Sequence, residues 1–282
     1  MRAKTLPLLT GLMLLTACSG GETPPSPAAA PTSSAASATP SPSSSSPPPS
    51  SSSSPSSSSA VPPVGSGKVV VLDPGHNGGN ASHPDEINRK VPAGRGQTKP
   101  CNTTGTSTNA GYTEHAFTFA VAHEVGTALA AKGIKVVYTR QNDSGVGPCV
   151  DERARIGNDA NADAVVSIHA DGSTSPTAHG FHVAYSAPPL NAAQGEPSLK
   201  LARTMRDGIR DDGFPTSTYI GSAGLSPRND LAGLNLSTRP AVLVECGNMR
   251  NADEASQMSS AAGRAHYAQA IAKAIEAYLA GS

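Results

Sequence analysis

Three short apolar runs in this chain each end on a side chain that can bind a metal or move a proton. Val69-Val70-Val71-Leu72 leads through Asp73-Pro74-Gly75 to His76, Ala164-Val165-Val166-Ser167-Ile168 leads to His169, and Ala241-Val242-Leu243-Val244 leads to Glu245. Zinc takes neutral imidazole nitrogens and carboxylate oxygens, and a catalytic zinc site uses three protein ligands and leaves one position open. His76, His169 and Glu114 supply such a set. Glu245 is then left over as a general base for water. Taken singly, each residue has an ordinary reading. Glu114 suits a carboxylate complementing a helix dipole, and a lone histidine is commonly structural. It is their joint placement after buried runs that packing does not explain.

The elements that position these residues follow from pattern. The run before His76 is short and β-branched, which suits a strand covered on both faces. Asp73-Pro74-Gly75 then breaks it, because proline lacks a donor and glycine tolerates unusual backbone angles. His76 therefore falls just beyond the carboxyl end of a central strand, where open α/β sheets place their sites. Neighbouring strands lie about 4.8 Å apart, so side chains at adjacent strand ends can meet at one ion. Thr113 is expected to cap a helix that runs to Lys132 and stops at Gly133. Phe117, Val121, Val125, Ala128 and Leu129 form its buried stripe, and Glu114 lies in its first turn.

Further strands are expected over 134–140, 164–168, 180–185 and 241–244. Helices are expected over 151–161, 197–211 and most of 253–279, the last interrupted at Gly263. The alternation predicts right-handed crossovers and a single α/β domain: a mostly parallel twisted sheet flanked by helices, with the zinc site at the carboxyl ends of the strands. This domain spans residues 68–282, about 215 residues. Residues 77–112 are polar and rich in Gly, Asn, Pro and Thr. So long a loop is usually functional, and it reads as a lid, a short hairpin or a solvated insertion. Residues 219–234 are glycine-rich and carry no clear period.

The 282 residues carry a formal net charge of zero. With no basic block, nucleic acid is excluded as a partner. Residues 1–18 form an export signal: Arg2 and Lys4 precede a short apolar stretch from Leu6 to Leu15, too short to span a bilayer comfortably. Leu15-Thr16-Ala17-Cys18 resembles a bacterial lipobox, which makes Cys18 a lipidation site. The alternative is an ordinary signal cut after Ala17. A lipid on Cys18 would anchor the protein to the outer face of the cytoplasmic membrane without a spanning helix. Residues 19–67 read as a disordered linker. From Thr23 to Gly67 the chain is Pro, Ser, Ala, Thr and Gly with two valines and no charge, so it cannot bury enough apolar surface to order itself. Its roughly 45 residues would average about 35–40 Å end to end as a flexible coil. Cys101 and Cys149 lie in polar loops of an exported chain and are the natural disulfide pair. That bond would close a loop of about 48 residues and add about 4 kcal/mol by loop entropy. Cys246 follows an apolar strand and reads as a buried free thiol.

Four ordered motifs carry a family resemblance: Val71-Leu72-Asp73-Pro74-Gly75-His76, then Glu114, then Ser167-Ile168-His169-Ala170-Asp171, then Pro240-Ala241-Val242-Leu243-Val244-Glu245-Cys246-Gly247. Together with Tyr138-Thr139-Arg140 and Glu152-Arg153 through Asn158, they resemble the zinc-dependent N-acetylmuramoyl-L-alanine amidases of the amidase-3 family. The likeness covers residues 68–279. Asp73-Pro74-Gly75-His76-Asn77-Gly78-Gly79-Asn80 and Gly180-Phe181-His182-Val183 resemble its mycobacterial and actinobacterial type.

The resemblance implies one zinc per chain on His76, Glu114 and His169, with Glu245 as the catalytic base. It implies peptidoglycan as substrate, cut at the amide between muramic acid and L-Ala of the stem peptide, in wall remodelling, septum cleavage or turnover. A zinc peptidase acting on stem-peptide bonds and a non-catalytic peptidoglycan-binding module are the alternatives; the latter has no need of Glu245. Asp73 and Asp171 are candidates to orient the histidines, with loop capping as the equal alternative. Arg228 and Asn248 are candidates to meet a substrate carboxylate or amide, with plain surface roles as the equal alternative. The chain departs from the family after the glutamate, with Gly247-Asn248-Met249-Arg250-Asn251 where many members carry Gly-Phe-x-Ser-Asn. That bears on substrate contacts rather than on the ligands. A monomer is expected, as no coiled coil or long apolar patch stands out.

Overall fold

A computed structural model describes residues 67–281. The export signal, Cys18 and nearly all of the linker lie outside the described residues. Strand β1 (Val69–Pro74) is followed by a 3-10 turn (Asn80–Ser82), helix α1 (Pro84–Ile87), and a hairpin of β2 (Lys90–Gly94) and β3 (Gln97–Pro100). Then come α2 (Glu114–Ala130), β4 (Lys135–Tyr138), α3 (Val150–Asp159), β5 (Ala164–Asp171) and β6 (His182–Ser186). The chain continues through a second 3-10 turn (Ala192–Gln194), α4 (Glu196–Asp211), β7 (Leu225–Arg228), α5 (Ala232–Asn235), β8 (Ala241–Asn248), α6 (Ala252–Ser259) and α7 (Ala261–Ala280).

Six strands form one sheet in the order β4-β1-β5-β8-β6-β7. β4, β1, β5 and β8 run parallel, β6 runs antiparallel to β8, and β7 runs parallel to β6. The three strands that end on His76, His169 and Glu245 are thus consecutive in the sheet. This is the mostly parallel, helix-flanked α/β sheet expected from the sequence.

The two faces are covered unequally. On one face α2 and α4 pack on the sheet and α7 packs against both of them, and Phe117, Leu129, Ile168, Leu201, Met205, Val244 and Ile271 make a continuous core. Each large side chain buried there is worth about 1.5–3 kcal/mol. The other face carries only a small cluster, Val71, Ala162, Val165, Ala184, Leu234 and Ala241, under α3 and α5, and the β2–β3 hairpin packs against those two helices. The thin layer leaves room for a cavity at the carboxyl end of the sheet.

Several details differ from the sequence expectation. Residues 77–112 hold the hairpin and two short helical turns rather than one long irregular loop. Residues 219–234 contain β7 and the start of α5. Thr113 occupies the N-cap of α2, but its side chain makes no capping hydrogen bond. The C-terminal helical stretch breaks at Ser260, not Gly263, and the Ser260 hydroxyl accepts from Gly263 N at 3.0 Å. Gly263 is needed for close approach instead, since a Cβ there would sit 2.0 Å from Gln257 O.

Candidate metal centre and active site

The register brings the strand ends level. Pro74 pairs with Ile168 across β1 and β5, and His169 pairs with Glu245 across β5 and β8. Glu114 opens α2, which packs on β1 and β5, so its carboxylate reaches the same point. His76 Nε2 lies 3.1 Å and His169 Nδ1 3.0 Å from the same oxygen, Glu114 Oε1. The imidazoles meet edge to face with centroids 4.9 Å apart. One ligand atom from each of His76, Glu114 and His169 can be chosen so that all lie within 4.8 Å of one another. All three predicted ligands therefore gather at one point.

Each ligand is held from behind. His76 Nδ1 lies 3.0 Å from Thr103 O, and a carbonyl only accepts. Nδ1 is therefore the protonated nitrogen, and Nε2 faces Glu114. Glu114 Oε1 accepts from Ala170 N at 3.1 Å, and Oε2 accepts from Thr106 N at 2.9 Å. Burial alone would raise the Glu114 carboxyl. The two imidazoles beside it, His76 foremost, outweigh this and hold the group well below the usual carboxylate range. Gly75 makes the convergence possible, because a Cβ there would stand 2.3 Å from His169 Cε1.

Glu245 stands beside this trio without touching it by hydrogen bond. Its Oε2 is buried and has no partner. Burial, reinforced by the charges of Glu114 and Asp171, pushes its pKa well above the ordinary carboxylate value. A buried carboxylate oxygen with nothing to bond, on a residue lining the same cavity as the ligands, is an acceptor suited to a water or a substrate proton. Two imidazoles, a carboxylate and this orphaned oxygen fit zinc with one open position. A cavity of about 420 Å³ contains all four residues and extends past Thr103–Thr106 to Lys99 on one side and Leu231–Leu234 on the other.

The expected orienting roles of Asp73 and Asp171 are not what the structure holds. Asp73 receives Arg153 Nη1 at 2.7 Å, Thr139 Oγ1 at 2.6 Å and Ser167 Oγ at 2.6 Å, with no imidazole among its partners. Burial would raise its carboxyl, but the Arg153 charge and these bonds lower it to about 2. Asp171 Oδ2 accepts from the Tyr219 hydroxyl at 3.1 Å. Thr103, which no sequence signal marked, orients His76. Arg228 and Asn248 are also engaged internally. Arg228 grips Asp230 through two hydrogen bonds of 2.7 and 2.6 Å. Asn248 Nδ2 donates to Ser173 O and Ala178 O. Among the other histidines, His115 bonds Asp143 at 2.7 Å, and His123 stacks on Tyr138 with centroids 4.5 Å apart. Cys101 and Cys149 form the expected disulfide, and Cys246 is a buried free thiol.

Comparison with known proteins agrees with the geometry. Residues 70–277 match the family model Amidase_3, N-acetylmuramoyl-L-alanine amidase. The chain is 50% identical over 215 residues to N-acetylmuramoyl-L-alanine amidase Rv3717 of Mycobacterium tuberculosis, covering 76% of this chain and 88% of that protein. Its structure resembles the crystal structure of the amidase Ami1 from Mycobacterium smegmatis with a TM-score of 0.74 at 51% identity, over 77% of this chain and 99% of the other. The apo form of Ami1 from Mycobacterium abscessus gives a TM-score of 0.73 at 53% identity, over 76% and 99%. With the family model spanning most of its length, this chain belongs to the N-acetylmuramoyl-L-alanine amidase family.

Proposed function

We propose that the chain is a zinc-dependent peptidoglycan hydrolase that cleaves the amide between the lactyl group of N-acetylmuramic acid and L-Ala of the stem peptide. The observation that carries this is the convergence of both imidazoles on one Glu114 oxygen, with the unpartnered Glu245 Oε2 alongside. His76, Glu114 and His169 would hold the ion. When bound, zinc supplies a Lewis acid for the scissile carbonyl and makes water acidic enough to act as nucleophile near neutral pH.

The chain's own residues do the rest. Glu245 takes the proton from the attacking water at its free oxygen, keeps it in a buried site that favours the neutral acid, and delivers it to the leaving amine. Thr103, Thr106 and the Ala170 amide keep the ligands in place while charge moves. The cavity's mixed lining accommodates a peptide backbone on apolar walls with few polar anchors.

The same reading includes the location. The signal over residues 1–18, a lipid on Cys18 and the linker over 19–67 would tether a monomeric catalytic domain, residues 68–282, above the membrane and within reach of the wall. Wall remodelling, septum cleavage or turnover is the role it serves. No helix among the described residues is long and apolar enough to cross a membrane.

The test is product identity. Purified protein with zinc should release free stem peptide with an N-terminal L-Ala from a defined muropeptide, as read by mass spectrometry, and should lose this activity with a chelator. Cleavage between two amino acids would replace the reading with a peptidase. Cys18→Ala should move the protein from the membrane fraction to the soluble envelope fraction.

A further inference from the structure

The metal-ligand candidate His76 sits on an unusual piece of backbone. Its φ is 59°, the left-handed region that a non-glycine residue enters only at a cost. Such a conformation persists only where the surroundings over-determine it. β1 ends at Pro74, so the carbonyls that follow lose the regular ladder and need other donors.

Two buried guanidinium groups provide them. Arg153 Nη1 donates to Pro74 O at 2.7 Å, and Nη2 donates to His76 O at 2.8 Å. The same side chain is pinned by Asp73 Oδ1 at 2.7 Å, Gly147 O at 3.0 Å and Pro148 O at 2.9 Å. Arg140 approaches from the other side: Nε donates to Pro74 O at 2.9 Å and Nη2 to Gly75 O at 3.2 Å. Thr118 Oγ1 adds a bond to Gly75 O at 2.9 Å. Arg140 and Arg153 are only 4% and 5% exposed. The carbonyls of three successive residues are therefore fixed by two planar forks, and the turn that aims His76 is built by side chains from α3 and from the segment after β4.

We propose that Arg153, backed by Arg140, is a positioning residue for His76: it holds the left-handed turn in place before any metal arrives and so sets the affinity of the site. The proposal rests on His76 being a metal ligand. Lysine cannot replace the fork. It has a single ammonium on a flexible stem and cannot reach Asp73, Pro74 O and His76 O with a fixed geometry.

The test compares zinc affinity in full-length wild type, Arg153→Lys and the control Arg155→Ala, by competition with a chromophoric chelator. The metal-free melting curve of each is recorded alongside. Arg155 is on the same helix but exposed. Arg153→Lys should bind zinc 10–100-fold more weakly below its melting temperature, with an altered cobalt(II) absorption spectrum, while Arg155→Ala matches wild type. A folded Arg153→Lys with wild-type zinc affinity and cobalt spectrum would reduce Arg153 to a structural residue and overturn the proposal. Wild type that binds no zinc would overturn the ligand reading itself, and this proposal with it. Should Arg153→Lys fail to fold, crystal structures of metal-stripped and zinc-loaded wild type decide. The same left-handed φ at His76 in both supports pre-positioning, and a φ that becomes left-handed only with zinc refutes it.

Discussion

His182 stands directly across the antiparallel β6–β8 ladder from Glu245, and both side chains bury a polar atom with no partner, Nδ1 of His182 and Oε2 of Glu245. Opposite residues on paired strands project to the same face with Cβ atoms about 4.5–5.5 Å apart. A buried imidazole and the proposed base are therefore cross-strand neighbours. Burial, together with the Arg228 charge, lowers the His182 pKa to about 4 even though Asp171 pulls it upward.

That shift has a sign for stability. The folded His182 stays neutral down to about pH 4, whereas an unfolded histidine takes a proton near 6.5. Between those values the unfolded chain binds the extra proton, so stability falls as pH falls through that window. His182→Gln should abolish about 3 kcal/mol of this loss between pH 7 and pH 4. Denaturant unfolding of both proteins at several pH values in that range checks it; parallel curves would show that His182 is not held neutral.

Glu245→Gln preserves shape and removes the proton acceptor. The turnover number should fall about 10²–10⁴-fold, the range a positioned acid–base group contributes. Bound metal measured by elemental analysis should stay at the wild-type level, because Glu245 is not among the proposed ligands. Full activity with metal retained would exclude Glu245 as the base.

Gly75→Ala places a methyl 2.3 Å from His169 Cε1. The imidazole must swing off Glu114, so one ligand is lost although neither the histidine nor the carboxylate has been changed. The expected result is loss of zinc affinity by at least about tenfold, with the core sheet intact by circular dichroism.

Replacing both Cys101 and Cys149 with serine opens a loop whose ends are 48 residues apart. Loop entropy predicts a loss of about 4 kcal/mol. The disulfide ties the end of the hairpin segment to the start of α3, so Thr103 and Arg153, each near one cysteine, also lose a common anchor. A chemical denaturation curve measures the first effect, and zinc affinity measures the second.

What could be read from the sequence followed from local rules. The runs ending on His76, His169 and Glu245 needed only strand length and β-branching to be placed, and the sheet order then set them side by side. Glu114 was placed by helix periodicity. The supporting residues were harder to assign, because their partners are remote in sequence. Arg153 reaches Asp73 and His76 O across 80 and 77 residues. Nothing in its local pattern separates it from exposed Arg155. Thr103 meets His76 Nδ1 through both its backbone carbonyl and its hydroxyl, across 27 residues of a polar segment with no local pattern to mark it. Asp73 and Asp171 drew attention by lying close to the histidines in sequence. Both line the same cavity as the ligands, but their carboxylates are taken up by Arg153, Thr139 and Ser167 and by Tyr219, partners that sequence proximity to a histidine does not reveal.

The most direct test of the account is zinc K-edge X-ray absorption on the zinc-loaded protein, repeated on His169→Ala. The account predicts one zinc per chain in a shell of nitrogen and oxygen scatterers at about 2.0–2.2 Å with two imidazoles, and loss of one imidazole in the variant. Sulfur scatterers at about 2.3 Å, or a spectrum that His169→Ala leaves unchanged, would place the metal elsewhere and contradict it.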